Sequence, residues 1–142
     1  MSKQQSGFTL IELVIVIVIL GLLAATALPR FSNLTTSARI ASLNGIAGSL
    51  RSAASIARAT QLVTAGANSG TSVTLDTVVI PMINNWPSAA TVSNVLTDST
   101  GYTFTSANPA IFVLVSGGNC EVRYTQSAAG EFPTIRVFSS GC

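Results

Sequence analysis

Residues Phe8 to Leu28 read FTLIELVIVIVILGLLAATAL, an apolar run in which 17 of 21 positions are hydrophobic. A helix rises 1.5 Å per residue, so the run extends about 31 Å, close to the thickness of a bilayer's hydrocarbon core. Ile and Val favour strands in water. In lipid, however, a lone spanning segment must pair every backbone group within itself, which requires a helix. The rival reading is a secretory signal, but the run is longer than an ordinary signal core. Its loosely fitting cleavage site, Ala25-Thr26-Ala27, is followed by Leu28-Pro29, a poor context for cutting. Glu12 sits five residues into the run. A carboxylate costs about 2.5–3.5 kcal/mol near mid-bilayer, less towards one end, and implies a cation at the same depth. No Lys or Arg lies inside the run. The cation is therefore a chain end or belongs to another molecule.

Composition narrows the function further. Only 8% of the 142 residues are charged, seven basic against five acidic, and none is His. This excludes a polybasic nucleic-acid binder, an acidic solvating tail and a charged disordered chain. The absence of His removes Ser-His-Asp and Cys-His catalysis and all His-ligated metal sites. With no paired acids and no Gly-rich phosphate loop either, the chain reads as a non-enzyme without a cofactor.

Residues Ser6 to Pro29, SGFTLIELVIVIVILGLLAATALP, resemble the N-terminus of type IV prepilins, the precursors of bacterial pilus subunits. The signature is a short polar leader ending in Gly, then Phe-Thr-Leu-Ile-Glu and an apolar stretch. Here the leader is MSKQQSG, with Lys3 on the side the positive-inside rule makes cytoplasmic. The resemblance implies cleavage between Gly7 and Phe8 by a prepilin peptidase that also methylates the new amine on Phe8. It also implies that Glu12 pairs with the N-terminal amine of a neighbouring subunit, which supplies the missing cation. Leaving such a desolvated carboxylate unpaired is penalised, so the pair specifies register.

Pro29 lacks an N–H and clashes with the carbonyl four residues back, so it is expected to kink or locally open the helix, and Gly21 is a second weak point. The resemblance implies unwinding there on assembly; an ordinary bend at the membrane surface is the alternative. Residues 29–60 are read as an amphipathic helix, with Leu43, Ile46, Ala47, Leu50, Ala53, Ala54 and Ala57 on one face. Arg30, Arg39, Arg51 and Arg58 fall on the same helix without an acid. They are assigned to contacts between subunits or with headgroups, and DNA is disfavoured because the stripe is sparse.

From residue 61 to about 100 turn residues dominate, in AGANSGTS, INNWPS and NVLTDSTG. A strand is expected near Val73–Ile80 and a short helical turn near Ala89–Leu96. Trp86, the only Trp, is read first as a packed anchor, and less favourably, with Asn84 and Asn85, as a glycan contact. Four more strands are expected, at Tyr102–Thr105, Ile111–Val115, Glu121–Thr125 and Thr134–Phe138, with turns at Ser116–Asn119 and Ala128–Gly130. Alternation in the third leaves one face solvated, whereas the apolar second reads as covered on both sides.

Cys120 and Cys142 are the only cysteines, too few for a structural zinc site without His. A disulfide is the reading for a translocated chain, and type IV pilins similarly enclose a C-terminal segment between two cysteines. Pro29-Arg30-Phe31 and Asn85-Trp86-Pro87 look like the mannose-sensitive haemagglutinin subgroup. The expected fold is α+β: a long N-terminal helix packed on an antiparallel sheet of about four strands, with a disulfide-bounded region at 120–142. The expected organisation is a leader at 1–7, a membrane and filament-core helix at 8–28, an amphipathic helix at 29–60 and a β-rich head at 61–142.

The resemblance implies a major pilin that passes through the inner membrane into an extracellular homopolymeric filament. Its partners would be the prepilin peptidase, the inner-membrane assembly machinery and a host or surface glycan. A type II secretion pseudopilin, a minor pilin and a membrane-anchored glycan-binding module stay open as alternatives. Asp76, Asp98, Glu121 and Glu131 lack the loop spacing of the calcium site expected in a major pseudopilin. Beyond Leu28 the chain is still 44% hydrophobic and about 9% charged, with Ser and Thr at 30 of 114 positions. A neutral, hydroxyl-rich surface suits subunits packed side by side.

Overall fold

A computed structural model describes residues 7–64, 71–115 and 118–142; the side chains of Leu28, Pro29, Phe31 and Ser32 fall outside that description. The chain divides into two units, residues 1–37 and 38–142. The helix α1, Leu10–Thr64, contributes to both.

In the first unit every described side chain from Gly7 to Thr26 is exposed. Leu10–Ala27 has mean hydropathy 2.8 and no buried part. Thr26 Oγ1 donates to Leu23 O at 2.9 Å, so its hydroxyl is satisfied within the helix. The helical assignment passes through Gly21 and Pro29 as one element rather than two. Most of the expected leader, residues 1–6, lies outside the described residues.

The second unit is α+β. Its helical stretch buries Leu43, Ile46, Ala47, Leu50, Ala54 and Ala57, which recur at the spacings of one helix face. Ala53 lies at the margin, and Gln61 joins the buried row with no exposed surface. Four antiparallel strands form a meander in the order β4 (Tyr102–Thr105), β5 (Ala110–Leu114), β6 (Glu121–Thr125) and β7 (Thr134–Phe138). Phe112, Val122 and Tyr124 point from this sheet into a core shared with Leu43, Ile46, Ala47 and Leu50. Alanines on the helix let the sheet approach, and Phe104 meets Phe112 at a centroid distance of 5.0 Å. Tyr124 donates its hydroxyl to Pro87 O at 2.7 Å, and burial pushes the phenol's pKa up. Two turn expectations lie partly or wholly outside the described residues, at 65–70 and at Ser116-Gly117.

Two expectations need correction. The strand expected at Val73–Ile80 is a hairpin of β1 (Ser72–Leu75) and β2 (Val78–Ile83), paired Leu75↔Val78. Asp76 and Thr77 form its turn with φ of 48° and 73°. A two-residue turn of this hand matches strand twist but demands positive φ twice. Thr is a poor residue for that conformation, which is why the break did not show as a turn signal. A second such turn, Asn84 at 53° and Asn85 at 67°, leads into β3 (Trp86–Pro87), giving the three-stranded sheet β1-β2-β3. Strand β5 is central but covered on one side only: Ala110 and Phe112 are buried, whereas Ile111, Val113 and Leu114 are half-buried. Its continuous apolarity marks an open face rather than a second covering layer. The expected helical turn near Ala89–Leu96 is a short 3-10 helix at Val92–Val95.

Candidate functional site

Phe8, 84% exposed, lies ahead of the first turn of α1. Thr9 N and Thr9 Oγ1 both donate to Glu12 Oε2, at 2.9 and 2.8 Å, and Glu12 N donates back to Thr9 Oγ1 at 3.3 Å. This is a capping box, in which the residue before the helix and the third helical residue satisfy one another's orphan groups. Thr-x-x-Glu spacing announces that arrangement, and it was the signal available in the sequence for a second role of Glu12. Both bonds from Thr9 use Oε2. The carboxylate is thus held at the start of α1 and oriented by its own chain.

The helix arginines within the second unit each have a partner inside it. Arg39 Nη1 donates to Cys142 O at 3.1 Å, and Arg51 Nη2 donates to Ile135 O at 3.2 Å. The Arg58 guanidinium lies 4.6 Å from the Trp86 ring centroid and 5.4 Å from that of Phe132. These cations tie the helix to β7 and to the loops around β3. Spacing along a helix shows which face a side chain takes but not which distant carbonyl or ring it meets.

Trp86 is 6% exposed and Asn84 Nδ2 donates to Ser127 O at 2.8 Å. With Asn85, Arg58, Glu131 and Phe132 they line a cleft of about 170 Å³. That is below the roughly 300–1,000 Å³ of ordinary ligand sites, and the Trp ring is already packed against Arg58 and Phe132, 5.6 Å from the latter. The geometry suits an anchor. Arg58→Ala is expected to lower stability by about 1 kcal/mol, the value of a partly shielded cation–ring contact. Because Trp86 is the only Trp, its emission should shift to longer wavelength in the variant. Unchanged emission and an unchanged urea midpoint would contradict this.

Cys120 and Cys142 form a disulfide across 22 positions with Cα atoms 4.9 Å apart. Around it Gly141 N donates to Asn119 O at 3.3 Å. A Cβ on Gly141 would collide with the Asn119 backbone, so only glycine allows this approach. In the preceding loop Asp98 accepts from Thr100 N at 2.7 Å and from Thr100 Oγ1, which holds its carboxyl below the usual range. Among the described residues no three acidic or cysteine side chains cluster as a metal site.

Residues 2–28 match the family described as the prokaryotic N-terminal methylation motif. Over 54 residues the chain is 57% identical to a type IV narrow pilus major component of Thermus thermophilus, covering 38% of this chain and 47% of that one. It is 42% identical over 53 residues to a type IV major fimbrial protein of Dichelobacter nodosus, covering 37% and 34%. It is 55% identical over 40 residues to a type IV major pilin of Neisseria gonorrhoeae, covering 28% and 24%. The chain thus spans less than half the length of these relatives. Their names describe pilus and fimbrial components, not enzymes. No solved structure matches it. Residues 2–28 thus carry the prokaryotic N-terminal methylation motif, and the chain is similar to type IV pilins.

Proposed function

We propose that this chain is the structural subunit, and the major pilin, of a bacterial type IV pilus. A prepilin peptidase cleaves between Gly7 and Phe8 and methylates Phe8, and the mature chains polymerise through the apolar part of α1. The observation that carries this reading is Leu10–Ala27, hydropathy 2.8 and wholly uncovered. Eighteen helical residues extend about 27 Å, enough for the hydrocarbon layer before assembly. In a filament the same surface is covered by copies of itself. Glu12, held by Thr9 through Oε2, presents its remaining oxygen to the Phe8 amine of a neighbour.

The disulfide accords with life outside the cytoplasm, and the low charge of the remaining chain accords with close lateral packing. Gly21 and Pro29 serve as the points where the helix yields. Adhesion, attachment and twitching are the tasks such a filament performs, and Pro29-Arg30-Phe31 with Asn85-Trp86-Pro87 favours the mannose-sensitive haemagglutinin subgroup. Intact mass of the shed subunit, paired with electron microscopy of cells with and without the gene, tests the proposal. A filament whose subunit begins at methylated Phe8 supports it. A shed protein retaining Met1, or unchanged appendages in the deletion, would refute it.

A further inference from the structure

The outward face of the four-stranded sheet carries an unbalanced pair of arginines. Arg123 on β6 is the direct cross-strand partner of Arg136 on β7. Their neighbours Val122 and Tyr124 are buried, so alternation sends both arginines away from the core. Like charges placed directly opposite destabilise a strand pair. Glu121, the nearest compensating acid, is committed to Arg123, with Oε1 accepting from Nε at 2.6 Å and from Nη2 at 2.5 Å. Arg123 also lies over the Phe138 ring at 4.4 Å, so its fork is fixed from two sides. The guanidinium of Arg136 is exposed and, among the described residues, meets no carboxylate or carbonyl.

Between these groups lies a cleft of about 310 Å³ lined by Pro109, Arg123, Thr125, Thr134, Arg136 and Phe138. Among the described residues no carboxylate lines it. Thr125 and Thr134 are themselves cross-strand partners, and both are exposed beside the arginines. The cleft therefore offers the guanidinium fork of Arg136, two hydroxyls and an apolar wall at Pro109, while Arg123 is already shared between Glu121 and the Phe138 ring.

From this geometry we infer a binding site for the carboxylate of an acidic sugar, a uronic-acid unit of a polysaccharide. A carboxylate accepts from a guanidinium fork in two parallel hydrogen bonds. Ring hydroxyls exchange hydrogen bonds with Thr125 and Thr134, and the C–H face of the sugar rests on Pro109. Such an anion supplies the charge that Arg136 lacks, Arg123 being balanced by Glu121. A nucleic acid is the poorer occupant, because its affinity comes from neutralising many phosphates in a row, and the cleft has two cations. This site lies outside the Trp86 cleft and goes beyond the filament proposal.

The test is a calorimetric titration of the full chain in neutral detergent micelles with trigalacturonic acid. Its fully methyl-esterified form and oligothymidylate serve as comparisons. The acid is expected to bind, and the ester to bind at least about tenfold more weakly, since the charge-assisted fork is lost. Arg136→Gln should weaken the acid by a similar factor while leaving the unfolding midpoint unchanged or raised, since Arg136 faces only a like charge. Absence of binding, equal binding of acid and ester, or undiminished binding by Arg136→Gln would overturn the assignment. So would tighter binding of oligothymidylate. Because no filament is needed, failure here leaves the polymerisation proposal standing.

Discussion

Glu12→Ala is expected to leave the precursor inserted, cleaved and folded, yet to reduce recovered filament at least tenfold. Removing the carboxylate favours membrane insertion by about 2.5–3.5 kcal/mol at most, so the precursor should accumulate in the membrane. On the proposed reading, what is lost is the partner for the Phe8 amine, and an unpaired desolvated charge costs about 3–5 kcal/mol. The capping box complicates the reading, because Glu12 also satisfies Thr9 N, and loss of a cap costs about 0.5–2 kcal/mol. Glu12→Gln separates the two effects. Glutamine serves at the third helical position of a capping box as glutamate does, but it brings no charge to a neighbour's amine. Both variants should therefore fail to assemble, with equal membrane levels and equal cleavage by immunoblot. Wild-type filament yield in Glu12→Gln would show that Glu12 acts as a helix cap, and would defeat the ion-pair role.

The second large effect concerns the disulfide. Opening the Cys120–Cys142 link, which closes 22 positions, is expected to cost about 3.4 kcal/mol in the chain-entropy treatment. Against a total of about 5–15 kcal/mol for an ordinary domain, that is a large share. For a unit of this size it corresponds to a fall of about 10–20 °C in melting temperature. Cys142→Ser should show roughly this loss. Cys120→Ser should lose more, because Cys120 has no exposed surface and joins the cluster around Phe112 and Val122, where a serine hydroxyl must be buried. The loss is expected to extend to packing around the link, where Gly141 N donates to Asn119 O and Arg39 donates to Cys142 O. Thermal unfolding of the full chain in detergent, with and without reductant, measures this. A change under about 3 °C would mean that the sheet and the helix hold the segment unaided.

Legibility in the sequence followed the range of the interaction concerned. Strands β4, β6 and β7 are short runs bounded by turn residues, and their limits are readable because alternation and turn chemistry are local. The helical face at Leu43, Ile46, Ala47 and Leu50 is readable for the same reason. The hairpin at Asp76-Thr77 escaped because its two positive φ values are imposed by pairing of β1 with β2, against the preference of Thr. Strand β5 misled because apolarity along a strand does not say how many layers cover it. The arginines' partners within the unit, Cys142 O, Ile135 O and the Trp86 ring, were not legible because they lie far away in the chain.

The sequence by itself determined the long apolar helix, the carboxylate near its start, the polar stretch ending in Gly7 and the helical and strand periods of the second unit. These are matters of composition and short spacing, and periodicity carries them without any contact. Only the tertiary structure decided that Glu12 caps its own helix through Thr9, that Arg58 packs on Trp86 and Phe132, and that Arg123 faces Arg136 across two strands. Each of those depends on register or on which atoms chain folding brings close together. A one-residue change of register would send a strand's side chains to the opposite face.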